Sequence, residues 1–112
     1  MKMLSCIIRP ERLDPVTKAL DEEHIVGMTL TDVRGFGRQK GHVEHYRGEP
    51  YTIRFIAKVK VDIVVQDEDV NRIMNTIEHA ARTGKVGDGK IFVIDIPNAM
   101  RIRTGEKGTS AL

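Results

Sequence analysis

Tryptophan is absent from this chain, and three phenylalanines with two tyrosines are its whole aromatic content. Ring-stacking recognition of single-stranded nucleic acid therefore has little to build on. One cysteine, Cys6, excludes an internal disulfide and fits a reducing cytoplasm. Its neighbours Leu4, Ile7 and Ile8 make it a core thiol and not a nucleophile. Long apolar runs are missing too: Lys2 is followed by only about six apolar-rich residues before Arg9, too few for a signal peptide or a membrane span. A soluble, cytoplasmic protein is expected. Neither sign of charge dominates, with 18 Lys and Arg against 16 Asp and Glu and a net charge of +2. Bulk charge thus demands neither nucleic acid nor an anionic membrane. No Ser-His-Asp order and no catalytic carboxylate pair stands out, so an enzyme has no nameable base or nucleophile. His42 and His45 are three apart with Glu44 between them, but no cysteine or second carboxylate cluster completes a metal site.

What is present is organised around residues 37–55, GRQKGHVEHYRGEPYTIRF. The stretch holds Gly37, Gly41, Gly48 and Pro50, and no apolar period of 3.6 or 2 runs through it. A structureless connection that long inside a compact domain is usually a functional loop, a linker or a misassignment. Regular apolar segments on both sides argue for a functional loop.

The rest reads as a scaffold for one domain over residues 1–112. Met3–Ile8 is a short apolar strand. Asp14 followed by Pro15 reads as a helix start, with Val16, Ala19 and Leu20 on one face and Gly27 as the stop. Thr29–Phe36 is a second strand. In Lys58–Val65, Val59, Val61, Ile63 and Val65 point one way and Lys58, Lys60 and Asp62 the other. Asp67, Glu68 and Asp69 crowd the start of the next helix. Its stripe is Val70, Ile73, Met74, Ile77, Ala80 and Ala81, and Gly84 ends it. A glycine-rich turn leads into the strand Lys90–Ile96, and a basic tail covers about residues 97–112.

This order hides a repeat. Adding 57 takes Ile8 to Val65, Leu13 to Val70, Val16 to Ile73, Leu20 to Ile77 and Gly27 to Gly84. Strand–helix–strand occurs twice, which predicts an α+β, ferredoxin-like βαββαβ sandwich with both helices on one face of the sheet. The strands around Cys6 and Phe92 are apolar on both sides, so both faces need cover. One chain has no spare element for the second face, and a homo-oligomer packed sheet to sheet is expected.

The turn TGKVGDGKIFV, residues 83–93, starts like a phosphate loop with Gly84, Gly89 and Lys90. Ile91 stands where that motif needs Ser or Thr, and the helix precedes instead of following, so it is not a P-loop. The turn fits either an anion-binding nest with Lys90 adding charge, or a helix-to-strand turn whose glycines serve geometry alone. Gly35-Phe36-Gly37 starts a dinucleotide fingerprint but places Lys40 at the third glycine, which excludes it. Arg101 and Arg103, in an extended tail, would project to one side and suit phosphate oxygens, or form a solvated basic tail. Two glycine turns and several cations near strand ends favour a small polyanionic ligand.

Three segments together resemble the PII signal-transduction family (GlnB/GlnK type nitrogen regulatory proteins): TGKVGDGKIFV, VRGFGRQKGH with YRGEPY in the long loop, and AARTG with RIRTGE. The likeness spans essentially the whole chain. It implies a trimer of ferredoxin-like subunits that binds ATP or ADP, Mg2+ and 2-oxoglutarate in inter-subunit clefts and signals through its long loop, the T-loop. The resemblance sets phosphates against Gly87, Asp88, Gly89 and Lys90, with Gly37, Arg38 and Gln39 closing the cleft and Arg101 and Arg103 reaching in from the adjoining subunit. Ile7, Gly35, Asp62 and Val64 would line the nucleoside side, with Gly27, Met28 and Thr29 contributed across the interface. Gln39 would hold magnesium and touch 2-oxoglutarate. Lys58 would neutralise the distal carboxylate, and Gly37, Arg38, Lys40 and Gly87 would complete that subsite. Asp62 is shorter than the glutamate common there.

The sequence departs from the family at Glu49-Pro50, where the proline stiffens the chain before the modifiable Tyr51. Arg47 at the loop tip would contact a target, an ammonium transporter of the Amt class foremost, with glutamine synthetase or a nucleotidyltransferase as others. Such docking would bring a cytoplasmic protein to the membrane periphery. The competing readings are a ferredoxin-like RNA-binding domain, which would find Ser5, Ile7 and Val61 where it needs exposed rings, and a small nucleotide hydrolase.

Overall fold

The computed structural model describes residues 1–25, 27–38 and 53–112. Strands β1 (Lys2–Ile8), β2 (Thr29–Arg38), β3 (Ile53–Val65) and β4 (Gly89–Asp95) form one antiparallel sheet in the order β2-β3-β1-β4. Helices α1 (Leu13–Glu22) and α2 (Val70–Ala81) cover one face. This is the ferredoxin-like α+β sandwich expected from the repeated order of elements.

Alternation in β1 and β3 builds the core. Leu4, Cys6 and Ile8 stand opposite Ile63, Val61 and Val59 in register, and all six are buried. Val16, Leu20, Ile73, Ile77 and Ala81 close over them from the helices. A one-residue slip would turn this whole set to the other face, so burial fixes the register. Truncating a side chain such as Ile73, which has no solvent exposure, costs about 2–5 kcal/mol. Burial also pushes the Cys6 thiol up to about 12, in keeping with an inert core residue.

The 57-residue repeat is present in the elements themselves. Each helix is led in by a 3-10 turn, Pro10–Arg12 before α1 and Asp67–Asp69 before α2. That turn corrects the expected start of α1: the helix begins at Leu13, and Asp14 lies in its first turn without acting as a cap. Pro10, with its fixed φ, opens the 3-10 turn one step earlier. The end of α1 differs as well. His24, at φ 63°, adopts the left-handed conformation, and Gly27 plays no part. The His24 amide bonds to Asp21 O and the Ile25 amide to Leu20 O, which makes a Schellman closure with Ile25 packed on the core. Likewise α2 stops at Ala81 with an extended Arg82, before Gly84 is reached.

Strands β2 and β3 run past the expected limits, pairing as far as Gly37 with Arg54 and Arg38 with Ile53. Backbone pairing needs no apolar period, which is why the ends of the 37–55 stretch did not read as strand. The remaining 39–52, with Gln39, Lys40, His42, His45, Arg47, Pro50 and Tyr51, lies outside the described residues. The tail is folded, not extended: Met100 bridges Lys107, and the Arg101 amide donates to Glu106 O. No helix among the described residues is long and apolar enough to cross a membrane. On β4, Phe92, Val93 and Ile94 are 51, 44 and 46% exposed in the single chain.

Candidate ligand site

The turn between α2 and β4 bends through three glycines in the left-handed region, Gly84 (φ 86°), Gly87 (φ 103°) and Gly89 (φ 103°). Asp88 ties this turn together from within. Its Oδ2 accepts the amides of Thr83 and Gly84, both at 2.9 Å. Its Oδ1 accepts the Thr83 hydroxyl and, at 3.0 Å, Arg9 Nε. These bonds, the Thr83 hydroxyl first and Arg9 next, hold the Asp88 carboxyl well below the usual carboxylate range. Arg9 Nη2 also donates to the Val86 carbonyl at 2.8 Å.

Lys58 reaches the same turn from the uncovered face of the sheet. It pairs with Val33, shares its face with Lys60 and Asp62, and donates from Nζ to the Gly87 carbonyl. Gly35 lies alongside its stem: a Cβ there would stand 3.5 Å from Lys58 Cγ, an ordinary van der Waals contact. Ile7 pairs with both Lys60 and Lys90. The fold therefore brings together Ile7, Gly35, Lys58, Gly87, Asp88, Gly89 and Lys90, beside the ends of β2 and β3 from which residues 39–52 depart.

A second group lies elsewhere. Gly27, Met28, Thr29, Asp62 and Val64 line a separate cleft of about 630 Å³ with Ala111 and Leu112 at its edge. Asp62 and Val64 thus stand with Gly27–Thr29 and away from Gly35. The reason is register: Asp62 pairs with Thr29, whereas Gly35 pairs with Ile56 further along the ribbon. Lys60 Nζ lies 3.5 Å from Asp62 Oδ2, and Asp62 Oδ1 is buried without a hydrogen-bond partner among the described residues. Arg101 is engaged in its own tail, with Glu106 at 3.4 Å and the Leu112 carbonyl at 3.0 Å, and Arg103 is exposed.

Arg9 and Thr83 escaped the sequence reading. An aspartate inside a glycine turn with a threonine upstream is a recognisable signal for side-chain-to-backbone bonds. Arg9 carried none, because its partner Asp88 lies 79 positions away.

The fold and the turn define a ferredoxin-like α+β domain with a candidate anion-binding turn. The family profile "Nitrogen regulatory protein P-II" matches residues 1–106. The Nitrogen regulatory protein P-II of Microchaete diplosiphon and the Nitrogen regulatory protein P-II 1 of Escherichia coli K12 are each 54% identical over 112 residues, covering all of both chains. Among solved structures, Arabidopsis thaliana PII bound to citrate superposes with a TM-score of 0.82 at 41% identity, over 99% of this chain and 91% of that one. The chain belongs to the P-II nitrogen regulatory family, whose role is signal transduction.

Proposed function

We propose that this chain is a non-enzymatic sensor that binds ATP or ADP, Mg2+ and 2-oxoglutarate in clefts between the subunits of a homotrimer. The β2–β3 connection then reports occupancy to its targets. The observation that carries this reading is the meeting of Lys58 with the Gly84–Lys90 turn. A cation on β3 beside an amide-rich turn suits a ligand assembly with phosphates at one end and a carboxylate at the other. Family membership supports the regulatory role. The citrate bound by the Arabidopsis protein is a polycarboxylate, in the charge class of 2-oxoglutarate.

In this reading Gly87, Asp88, Gly89 and Lys90 cradle the phosphates with Gly37, Arg38 and Gln39, while Gln39, Lys40 and Lys58 hold 2-oxoglutarate. The second cleft, with Gly27, Met28, Thr29, Asp62 and Val64, serves the nucleoside of a ligand shared with the neighbouring copy, and Arg101 and Arg103 leave their own tail to reach it. Two half-sites set apart in one chain fit a site completed by a second chain. The exposed apolar residues of β4 fit the same assembly. An Amt-class ammonium transporter is the leading target, with glutamine synthetase or a nucleotidyltransferase as others, and the protein works in the cytoplasm and at the membrane surface when docked. The RNA-binding reading needs aromatic rings at the centre of the uncovered face, and among the described residues the exposed Phe36 and Phe55 lie far along the β2–β3 ribbon and Phe92 on the edge strand β4. The uncovered face of β1 and β3 offers Met3, Ser5, Ile7, Lys58, Lys60, Asp62 and Val64, and Val61 is buried under the helices.

Calorimetric titration with ATP, ADP and 2-oxoglutarate, separately and combined, tests the proposal. Binding of a nucleotide at micromolar protein is expected, and no heat with either nucleotide would overturn it. Light scattering checks the assembly, for which a trimer mass is expected and a monomer mass would remove the shared site.

A further inference from the structure

We propose that Arg9, Thr83 and Asp88 are positioning residues, a clasp that presets the glycine turn for an anion while keeping the Asp88 carboxylate away from it. The inference rests on the reading of this turn as the phosphate-binding element. It goes beyond that reading by assigning Asp88 an internal task and by adding two residues.

A carboxylate in a phosphate cradle is an electrostatic contradiction unless its charge is turned inward. Here it is. Asp88 accepts the Thr83 amide, the Gly84 amide, the Thr83 hydroxyl and Arg9 Nε. The guanidinium neutralises its charge, and both Arg9 and Asp88 side chains are about one-fifth exposed, 22 and 23%. The same Arg9 pulls the Val86 carbonyl inward, and Lys58 does so to the Gly87 carbonyl. Across a trans peptide the N–H points opposite to the C=O, and no peptide bond here is cis. The amides of Gly87 and Asp88 therefore face away from the two cations, and neither donates to a described residue. A turn with three positive-φ glycines would otherwise sample many conformers. The clasp removes that freedom before the ligand arrives, which lowers the ordering penalty on binding.

The test combines affinity with local exchange. Arg9→Ala, Asp88→Ala and the double variant are titrated with Mg-ATP, alongside the near-isosteric Asp88→Asn in case the alanine variants misfold. Each single alanine variant is expected to weaken binding by about tenfold, the scale of a lost charge-assisted hydrogen bond. The double variant should be no weaker than the worse single one, because one unit has been broken. Amide hydrogen exchange should accelerate at residues 83–89 while the rest of the sheet and the oligomer mass stay unchanged. Wild-type affinity in Asp88→Ala, or additive losses showing two independent ligand contacts, would overturn the clasp. So would Asp88→Asn with both affinity and exchange at Thr83 and Gly84 unchanged, because one amide oxygen cannot accept from those two amides and from Arg9 Nε at once. Failure of the wild-type protein to bind any nucleotide would instead overturn the ligand reading, and the exchange result would still decide the clasp.

Discussion

A Cβ on Gly89 would stand 1.7 Å from the carbonyl oxygen of Ile7. The first residue of β4 is pressed against the backbone of β1, and its φ of 103° is foreign to other residues. Gly89→Ala must shift the strand or open the turn, and a loss of at least about 2 kcal/mol is expected from strain and clash together. Gly84→Ala, which meets nothing within 4 Å, should cost only the conformational strain of about 1 kcal/mol. Urea unfolding of both variants at one fixed protein concentration checks the order. Equal losses would show that the contact with Ile7 is unimportant.

The Asp88 clasp has a pH signature. A carboxyl whose folded-state pKa is depressed adds stability that is fully present above its unfolded value of about 3.9 and is lost as pH falls through the lower folded value. The stability difference between wild type and Asp88→Asn should hold from pH 7 to about 5 and shrink in acid, below about pH 4. Chemical denaturation at pH 7 and pH 3 measures it. A difference as large at pH 3 as at pH 7 would mean that the carboxylate charge contributes nothing.

The sheet and its core were legible in the sequence because burial writes a period. Val59, Val61, Ile63 and Val65 announce their face, and Ile73 and Ile77 theirs, so the repeat and the fold class follow. What escaped is what backbone geometry or distant partners decide. His24 closes α1 through its own φ and two carbonyls, with no residue type to signal it. Lys58 and the glycine turn were separately visible as candidates, but their contact depends on strand register. The division of the candidate ligand residues between two clefts depends on it too, since Thr29 meets Asp62 only after β2 and β3 have paired. Arg9 is the extreme case, a strand-end arginine whose role is fixed by a turn at the far end of the chain.

Target contact should be separable from ligand binding. Arg47 sits between Tyr46 and Gly48, in the connection outside the described residues, and is not among the residues assigned to the ligand. Arg47→Ala is expected to abolish co-purification with an Amt-class transporter while leaving nucleotide affinity within about twofold, under about 0.4 kcal/mol. Undiminished co-purification would move the contact elsewhere. Tyr51 follows four positions later in the sequence, and Pro50 before it is expected to stiffen the acceptor. Intact-mass analysis after incubation with a family uridylyltransferase should show little modification of the natural chain and more of Pro50→Ala.

Ligand coupling follows from charge alone. Bringing the two carboxylates of 2-oxoglutarate beside ATP phosphates stacks like charges, each pair costing on the order of 4 kcal/mol at about 4 Å and an effective dielectric near 20. Something cationic must bridge them. In the proposed site, magnesium held by phosphate oxygens and the Gln39 amide would supply one bridge, and Lys58, now seated on the Gly87 carbonyl, would supply the other once the far carboxylate displaces that bond. 2-Oxoglutarate should therefore bind only with Mg-ATP present. ADP, lacking the γ-phosphate that helps hold the metal, should not support it. Linkage demands that 2-oxoglutarate tighten ATP by the same factor. Gln39→Ala and Lys58→Met are expected to weaken 2-oxoglutarate binding by at least about tenfold, or about 1.4 kcal/mol, while ATP alone still binds. Calorimetry in the four combinations of nucleotide and magnesium measures each term. Tight 2-oxoglutarate binding without nucleotide, or with ADP and no magnesium, would show that no cationic bridge is needed and that Lys58 meets the turn for structural reasons only.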